Sequence, residues 1–186
     1  ADLRQAGVRP HVSADAAQTG QALPAGRSAT SLSVQVNGAT LNEPNETFFV
    51  NVSNVSGATV AKAQGVGTIV NDDPLPSLSI NDVSVTEGNT GTVQAILTLT
   101  LSAASGQAVT VNYNTANDTA VAPADYVSAS GTVTFPPGAT TRTVAVTVNG
   151  DTTPEADETF TVNLSGVTNA TLADASGTVT ILNDDQ

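Results

Sequence analysis

Residues 149–165 read N-G-D-T-T-P-E-A-D-E-T-F-T-V-N-L-S, and residues 177–185 read G-T-V-T-I-L-N-D-D. The same block stands 112 positions earlier, as N-G-A-T-L-N-E-P-N-E-T-F-F-V-N-V-S at 37–53 and G-V-G-T-I-V-N-D-D at 65–73. Apolar and polar residues alternate inside it: Phe160, Val162 and Leu164 bracket Thr161 and Asn163, and Val179 and Ile181 bracket Thr180. Period-two alternation is the mark of strands with one buried face. A block written twice sets the architecture as a tandem repeat. Its shared letters include Glu46 and Glu158, Asp72 and Asp184, and Asp73 and Asp185. Core packing does not call for carboxylates, so the repeat carries chemistry as well as structure.

Alternation continues outward from the second copy. Val93, Ala95, Leu97, Leu99 and Leu101 form one row, and Val109, Val111 and Tyr113 a second. Val133 and Phe135, then Val144, Val146 and Val148, follow. With an opening segment at Ser77–Thr86 this gives about seven strands, the count of an immunoglobulin-like sandwich. Ser105-Gly106, Pro136-Pro137-Gly138 and Asn149-Gly150 supply turns between them. The fold class is therefore all-β: two tandem immunoglobulin-like antiparallel β-sandwiches, the first lacking its opening strands. Residues 74–186 form the complete domain and residues 1–73 the incomplete repeat. In the first copy Leu23-Pro24-Ala25-Gly26 falls under Phe135-Pro136-Pro137-Gly138, residues 1–22 match poorly, and nothing corresponds to 77–114. Val34, Val36, Phe48, Val50 and Val52 then lack strands to cover them, and bare apolar edges invite pairing with another chain. Either the chain is cut, or a neighbouring copy supplies the strands, with residues 1–30 as the segment that reaches it.

Composition narrows the partners. The formal net charge of −12 argues against nucleic acid and anionic membrane surfaces. Cysteine is absent, which excludes disulfides and thiolate metal sites and leaves bound calcium as one alternative staple. No apolar run reaches bilayer length. Methionine is absent too, so Ala1 is expected to be the start of a processed or excised piece. A glycosidase would want aromatic sugar platforms, and Tyr113 and Tyr126 are the only tyrosines, with no tryptophan. The single histidine, His11, lies in the poorly matching segment and gives no Ser-His-Asp arrangement. The chain reads as a binding module and not an enzyme.

Strand parity locates the acid. Successive antiparallel strands alternate direction, so alternate loops share an end. The loops 87–91, 115–129 and 149–157 and the exit at 183–185 fall together, with Glu87, Asp118, Asp125, Asp151, Glu155, Asp157, Asp184 and Asp185. The loops of the opposite end hold Asp174 alone. Like charges gathered this way repel. A hard divalent ion removes that penalty, and calcium accepts six to eight oxygens from several loops. Read singly, each Asp is an ordinary turn acid whose side chain bonds the local backbone. The convergence is what points to a metal.

E-G-N at 87–89, D-Y at 125–126, G-T-V-T-F-P-P-G at 131–138, G-D-x-x-P-E-A-D-E-T-F at 150–160 and T-I-L-N-D-D at 180–185 together resemble the Calx-β domain. This module occurs in sodium–calcium exchangers, in a large integrin subunit and in bacterial surface proteins. The resemblance implies a seven-stranded sandwich that binds Ca2+ where the last strand exits. It implies Glu87, Asp125, Asp151, Glu155, Asp184 and Asp185 as ligands, with Glu158 secondary. Gly150 and Asn183 stand where the exchanger modules carry further aspartates, which implies fewer ions or lower affinity. In the first copy Glu43, Glu46, Asp72 and Asp73 survive, while Ala39 replaces the Asp151 equivalent, so a weak or lost site is expected there. The resemblance further implies an extracellular or cell-surface structural and adhesive module. Its partners would be adjacent copies of itself or neighbouring repeats of a larger protein, including a head-to-tail filament built by strand complementation. The other reading is a calcium-sensing regulatory tandem.

Overall fold

The computed structural model describes residues 25, 26, 29 and 31–186. His11 and most of the segment 1–30 therefore lie outside the described residues. The chain divides into two compact units, Ala1–Asp73 and Pro74–Gln186. No helix among the described residues is long and apolar enough to cross a membrane.

In the first unit, β1 (Glu46–Asn51) pairs antiparallel with β2 (Gln64–Ile69) in a two-stranded sheet. Phe48 and Val50 point to the half-buried face and Phe49 to the other. Phe49 lies opposite Val66, and the two are 58% and 60% exposed. Gly67 faces Phe48, whose ring occupies the space a Cβ would need. The hairpin thus carries apolar side chains on both faces. In the second unit the positions matching Phe49 and Val66 are the paired threonines Thr161 and Thr178.

The second unit contains β3 (Ser77–Ile80), β4 (Val83–Thr86), β5 (Thr92–Leu101), β6 (Val109–Asn117), β7 (Ser130–Phe135), β8 (Thr141–Asn149), β9 (Glu158–Thr168), β10 (Thr171–Leu172) and β11 (Ser176–Leu182). One sheet has the order β10-β3-β5-β8 and the other β4-β11-β9-β6-β7. Nine strands replace the seven expected, for two reasons. The opening segment divides at Asn81-Asp82: β3 pairs with β5 in one sheet, and β4 crosses to pair parallel with β11 in the other. Asp82 secures the crossing, since its Oδ1 accepts the Thr178 N–H at 2.7 Å. Two residues before β11 then form the short β10, parallel to β3.

The inner faces of the two sheets make the core. The rows Ala95–Leu97–Leu99–Leu101, Val144–Val146–Val148, Phe160–Val162–Leu164 and Val179–Ile181 are buried. Tyr126 and Phe160 stack with ring centroids 4.0 Å apart and planes 7° from parallel. Burying a side chain of this size contributes about 2–3 kcal/mol, and aromatic pairing adds about 1 kcal/mol. The outer faces alternate in Thr, Ser and Asn, as a sheet with one solvated face requires. The strand directions place the loops after β4, β6 and β8 and the exit after β11 at the same end.

Candidate metal centre

Register explains why carboxylates gather at that end. Val83 and Val85 face inward along β4, and Glu87 is the next position of that row. Val179 and Ile181 face inward along β11, and Asn183 and Asp185 continue the row. On β9 the row Phe160–Val162–Leu164 begins one step earlier with Glu158. The inner face therefore changes from aliphatic to acidic where the sandwich opens. The Tyr126–Phe160 stack lies directly inside Glu158 in sequence and row.

Two groups of carboxylates result. Oxygens of Glu87, Asp184 and Asp185 lie within 4.8 Å of one another, and so do oxygens of Asp125, Glu155 and Glu158. Glu87 is 7% exposed, deep for an acid. Burial raises its pKa above the usual carboxylate value, and the charges of Asp151, Glu155, Asp185 and Asp184 raise it further. Glu158 is pushed up to about 7, first by burial, then by the charge of Asp125 and the hydrogen bond it shares with Asp125. The second group accordingly holds a proton near neutrality when no cation is present.

Backbone donors hold several members in place. Asp184 Oδ1 accepts the Gly88 N–H at 3.0 Å, and Asn89 donates its side-chain amide to Asp185. Asp125 Oδ2 accepts the Val121 N–H at 2.6 Å. Asp157 Oδ1 accepts the Asn183 N–H at 3.1 Å, and Asn183 Nδ2 donates to the Asp185 carbonyl at 3.1 Å. Asp185 Oδ2 is buried with no hydrogen-bond partner. A buried acceptor without a donor costs about 1–3 kcal/mol, and a cation between the three carboxylates would remove that cost. The donors are all hard oxygens, the set that suits Ca2+. Calcium therefore fits the residues present, and Glu87, Asp184 and Asp185 would hold it, with Asp125, Glu155 and Glu158 forming the second group.

Of the ligands expected from the sequence, Glu87, Asp125, Glu155, Asp184 and Asp185 are brought together, and Glu158 joins them as a full member of its group. Asp151 is not in either group: its Oδ1 accepts the Thr153 N–H at 2.6 Å, an Asx turn. It acts on the site through its charge on Glu87. Asp118 turns to Thr159, accepting its hydroxyl at 2.6 Å. Sequence reasoning missed Asn89 and Asp157 as positioning residues. The triplet E-G-N and the acid preceding Glu158 were visible, but their partners are 96 and 26 residues away.

In the first unit Glu43, Glu46, Asp72 and Asp73 line a cleft of about 220 Å³. Its local frame repeats the second copy: Asn71 Nδ2 donates to the Asp73 carbonyl at 3.0 Å, and the Asn71 N–H donates to Asn45 Oδ1 at 2.9 Å. Glu43 Oε2 is buried without a hydrogen-bond partner. Yet no three of these carboxylates converge among the described residues.

Fold and site define a class: a two-sheet, mainly antiparallel sandwich whose open end presents grouped carboxylates. The model of the Calx-beta domain matches residues 23–73 and again 70–185, and the chain belongs to that family. Solved structures agree. CBD12 from CALX1.2 is 26% identical with a TM-score of 0.54, over 59% of this chain and 46% of that one. The apo-form Calx CBD1 domain is 25% identical with a TM-score of 0.51, over 60% of this chain and 100% of that one. A structure described as calcium binding domain CBD12 of CALX1.1 is 25% identical with a TM-score of 0.54, over 59% and 46%. The chain spans under half the length of the two CBD12 structures it matches. A comparison with curated proteins returns no match.

Proposed function

We propose that the chain is a calcium-binding module whose second unit takes Ca2+ at its open end, and that its role is structural and adhesive at a cell surface or outside the cell. The observation that carries the calcium reading is the pairing of convergent carboxylates with the orphaned, buried Asp185 Oδ2. The family match and the similarity to a structure described as a calcium binding domain support it. In this reading Ca2+ neutralises the acidic end, cross-links three loops to the exit of the last strand and stiffens that exit. Nothing in that role calls for catalysis. A chemical-denaturation or thermal melt with calcium and with chelator tests it. A ligand held at 100 times its Kd raises stability by about 2.7 kcal/mol, so the second unit should melt several degrees higher with calcium. An identical melt in both conditions would refute it.

Strand complementation between copies is the finer part of the proposal. It is motivated by a two-stranded sheet with apolar side chains on both faces, Phe48 and Val50 on one and Phe49 and Val66 on the other. Light scattering across concentration tests it, and a strictly monomeric chain at high concentration would sink the filament. A calcium-sensing regulatory role is the competing use of the same site. It is separated by small-angle scattering with and without calcium, in which a sensor changes shape and a strut does not.

A further inference from the structure

The inward row of β8 runs Val144, Val146, Val148 and then Gly150. Where the rows of β4, β9 and β11 reach the open end with acids, this one ends without a side chain. A Cβ at position 150 would lie 2.1 Å from the Gly88 carbonyl oxygen and 2.7 Å from that of Glu87. Both obstacles are backbone, so a side chain there forces the first loop to move.

That loop is stitched on both sides. The Gly150 N–H donates to the Gly91 carbonyl at 3.1 Å and the Glu87 N–H to the Leu182 carbonyl at 3.3 Å. The Gly88 N–H reaches Asp184 and the Asn89 amide reaches Asp185. The loop that carries Glu87 is thus tied to the exit at Leu182, Asp184 and Asp185 on one side, and on the other its backbone lies against the end of β8.

The geometry points to Gly150 as the positioning residue of the calcium site. Its missing side chain admits the backbone of Glu87 and Gly88, and that contact sets the Glu87 carboxylate against the two exit aspartates. This rests on the calcium reading of the site. The consequence runs against simple electrostatics. An aspartate at 150 adds a negative charge beside the ion, which Coulomb attraction alone would make favourable. Displacement of Glu87 makes it unfavourable instead.

The test compares full-length wild type, Gly150→Ala, Gly150→Asp, Glu87→Gln, Gly150→Ala with Glu87→Gln, and Thr152→Asp, an added acid at an exposed position of the same loop. Calcium affinity is read by calorimetry. Outer-residue substitutions at metal sites cost roughly 10–100-fold. Gly150→Ala and Gly150→Asp should each weaken calcium binding by about tenfold or more on that scale, while Thr152→Asp keeps or improves it. In the Glu87→Gln background, Gly150→Ala should add less than about twofold, because the two act through one contact. General destabilisation would lower the melting point with and without calcium alike and leave affinity unchanged. Binding by Gly150→Asp as tight as wild type, or a full additional loss in the double variant, overturns the inference. The calcium-free amide spectrum of Gly150→Ala provides a separate check. Its signals from 87–91 and 184–185 must move, and if they do not, the positioning role fails whatever calcium does. Absence of calcium binding by wild type would instead strike the calcium reading itself.

Discussion

Glu158 makes the calcium site a pH-linked element, and the sign can be worked through. Its carboxyl is raised from 4.5 to about 7 in the folded chain. Between those values the native state holds a proton that the unfolded state has lost. The stabilisation is complete below pH 4.5 and disappears as pH rises through about 7. A shift of this size carries at most about 3 kcal/mol. Solvent screening at the half-buried rim reduces it to about 1 kcal/mol, or about 4 °C in melting temperature for a domain near 100 residues. The calcium-free second unit should therefore melt about 4 °C lower at pH 8 than at pH 5 from this group. Saturating calcium should abolish or reverse that slope, because protons then compete with the ion. Calorimetry in buffers of different ionisation heat supplies a second readout. Near pH 7 Glu158 is about half protonated, so calcium binding should release about 0.5 proton, falling below about 0.1 by pH 8.5. Glu158→Gln should flatten the calcium-free profile. If the variant keeps the wild-type slope, or if proton release is equal at both pH values, the reasoning about Glu158 is wrong.

Two further outcomes follow from the same end of the sandwich. Asp185→Asn should weaken calcium binding by about tenfold or more, while Asp151→Asn should cost about threefold or less. Asp185 sits within a carboxylate group, while Asp151 belongs to neither group and has its Oδ1 engaged by the Thr153 N–H, and a calcium titration that ranks them the other way would reassign the ligands. Phe160→Ala should cost about 3–5 kcal/mol by emptying a fully buried site and breaking the stack on Tyr126. Chemical denaturation measures it, and a loss under about 1 kcal/mol would mean the core does not close around this ring.

Much of this was legible in the sequence, because alternation writes the inward face directly. The rows of β5, β8, β9 and β11 follow the apolar letters, with Ile96 and Ala145 as apolar letters that face outward, and strand parity places the acidic loops at one end. Two things were hidden. The opening strand reads as one segment from Ser77 to Thr86, and only the pairing of β3 with β5 and of β4 with β11 shows that it changes sheets. Glu158 and Asp151 were ranked by motif, yet their roles depend on side-chain direction. Glu158 shares the parity of Phe160 and so turns inward, a signal present in the sequence. Asp151 is one step past Gly150, off the inward row, and bonds its own turn. Gly150 itself was read as a missing ligand. Its steric meaning depends on the carbonyls of Glu87 and Gly88, which no local pattern reveals.

The central claim is that calcium enters the open end of the second unit between loops that meet only in the fold. Amide signals of the full-length chain followed through a calcium titration test it most directly. The account predicts saturable shifts centred on residues 87–91, 121–125, 150–158 and 183–185, with the residues 136–140 at the opposite end unmoved. Shifts spread evenly over the acidic surface, or no saturation at millimolar calcium, would contradict it.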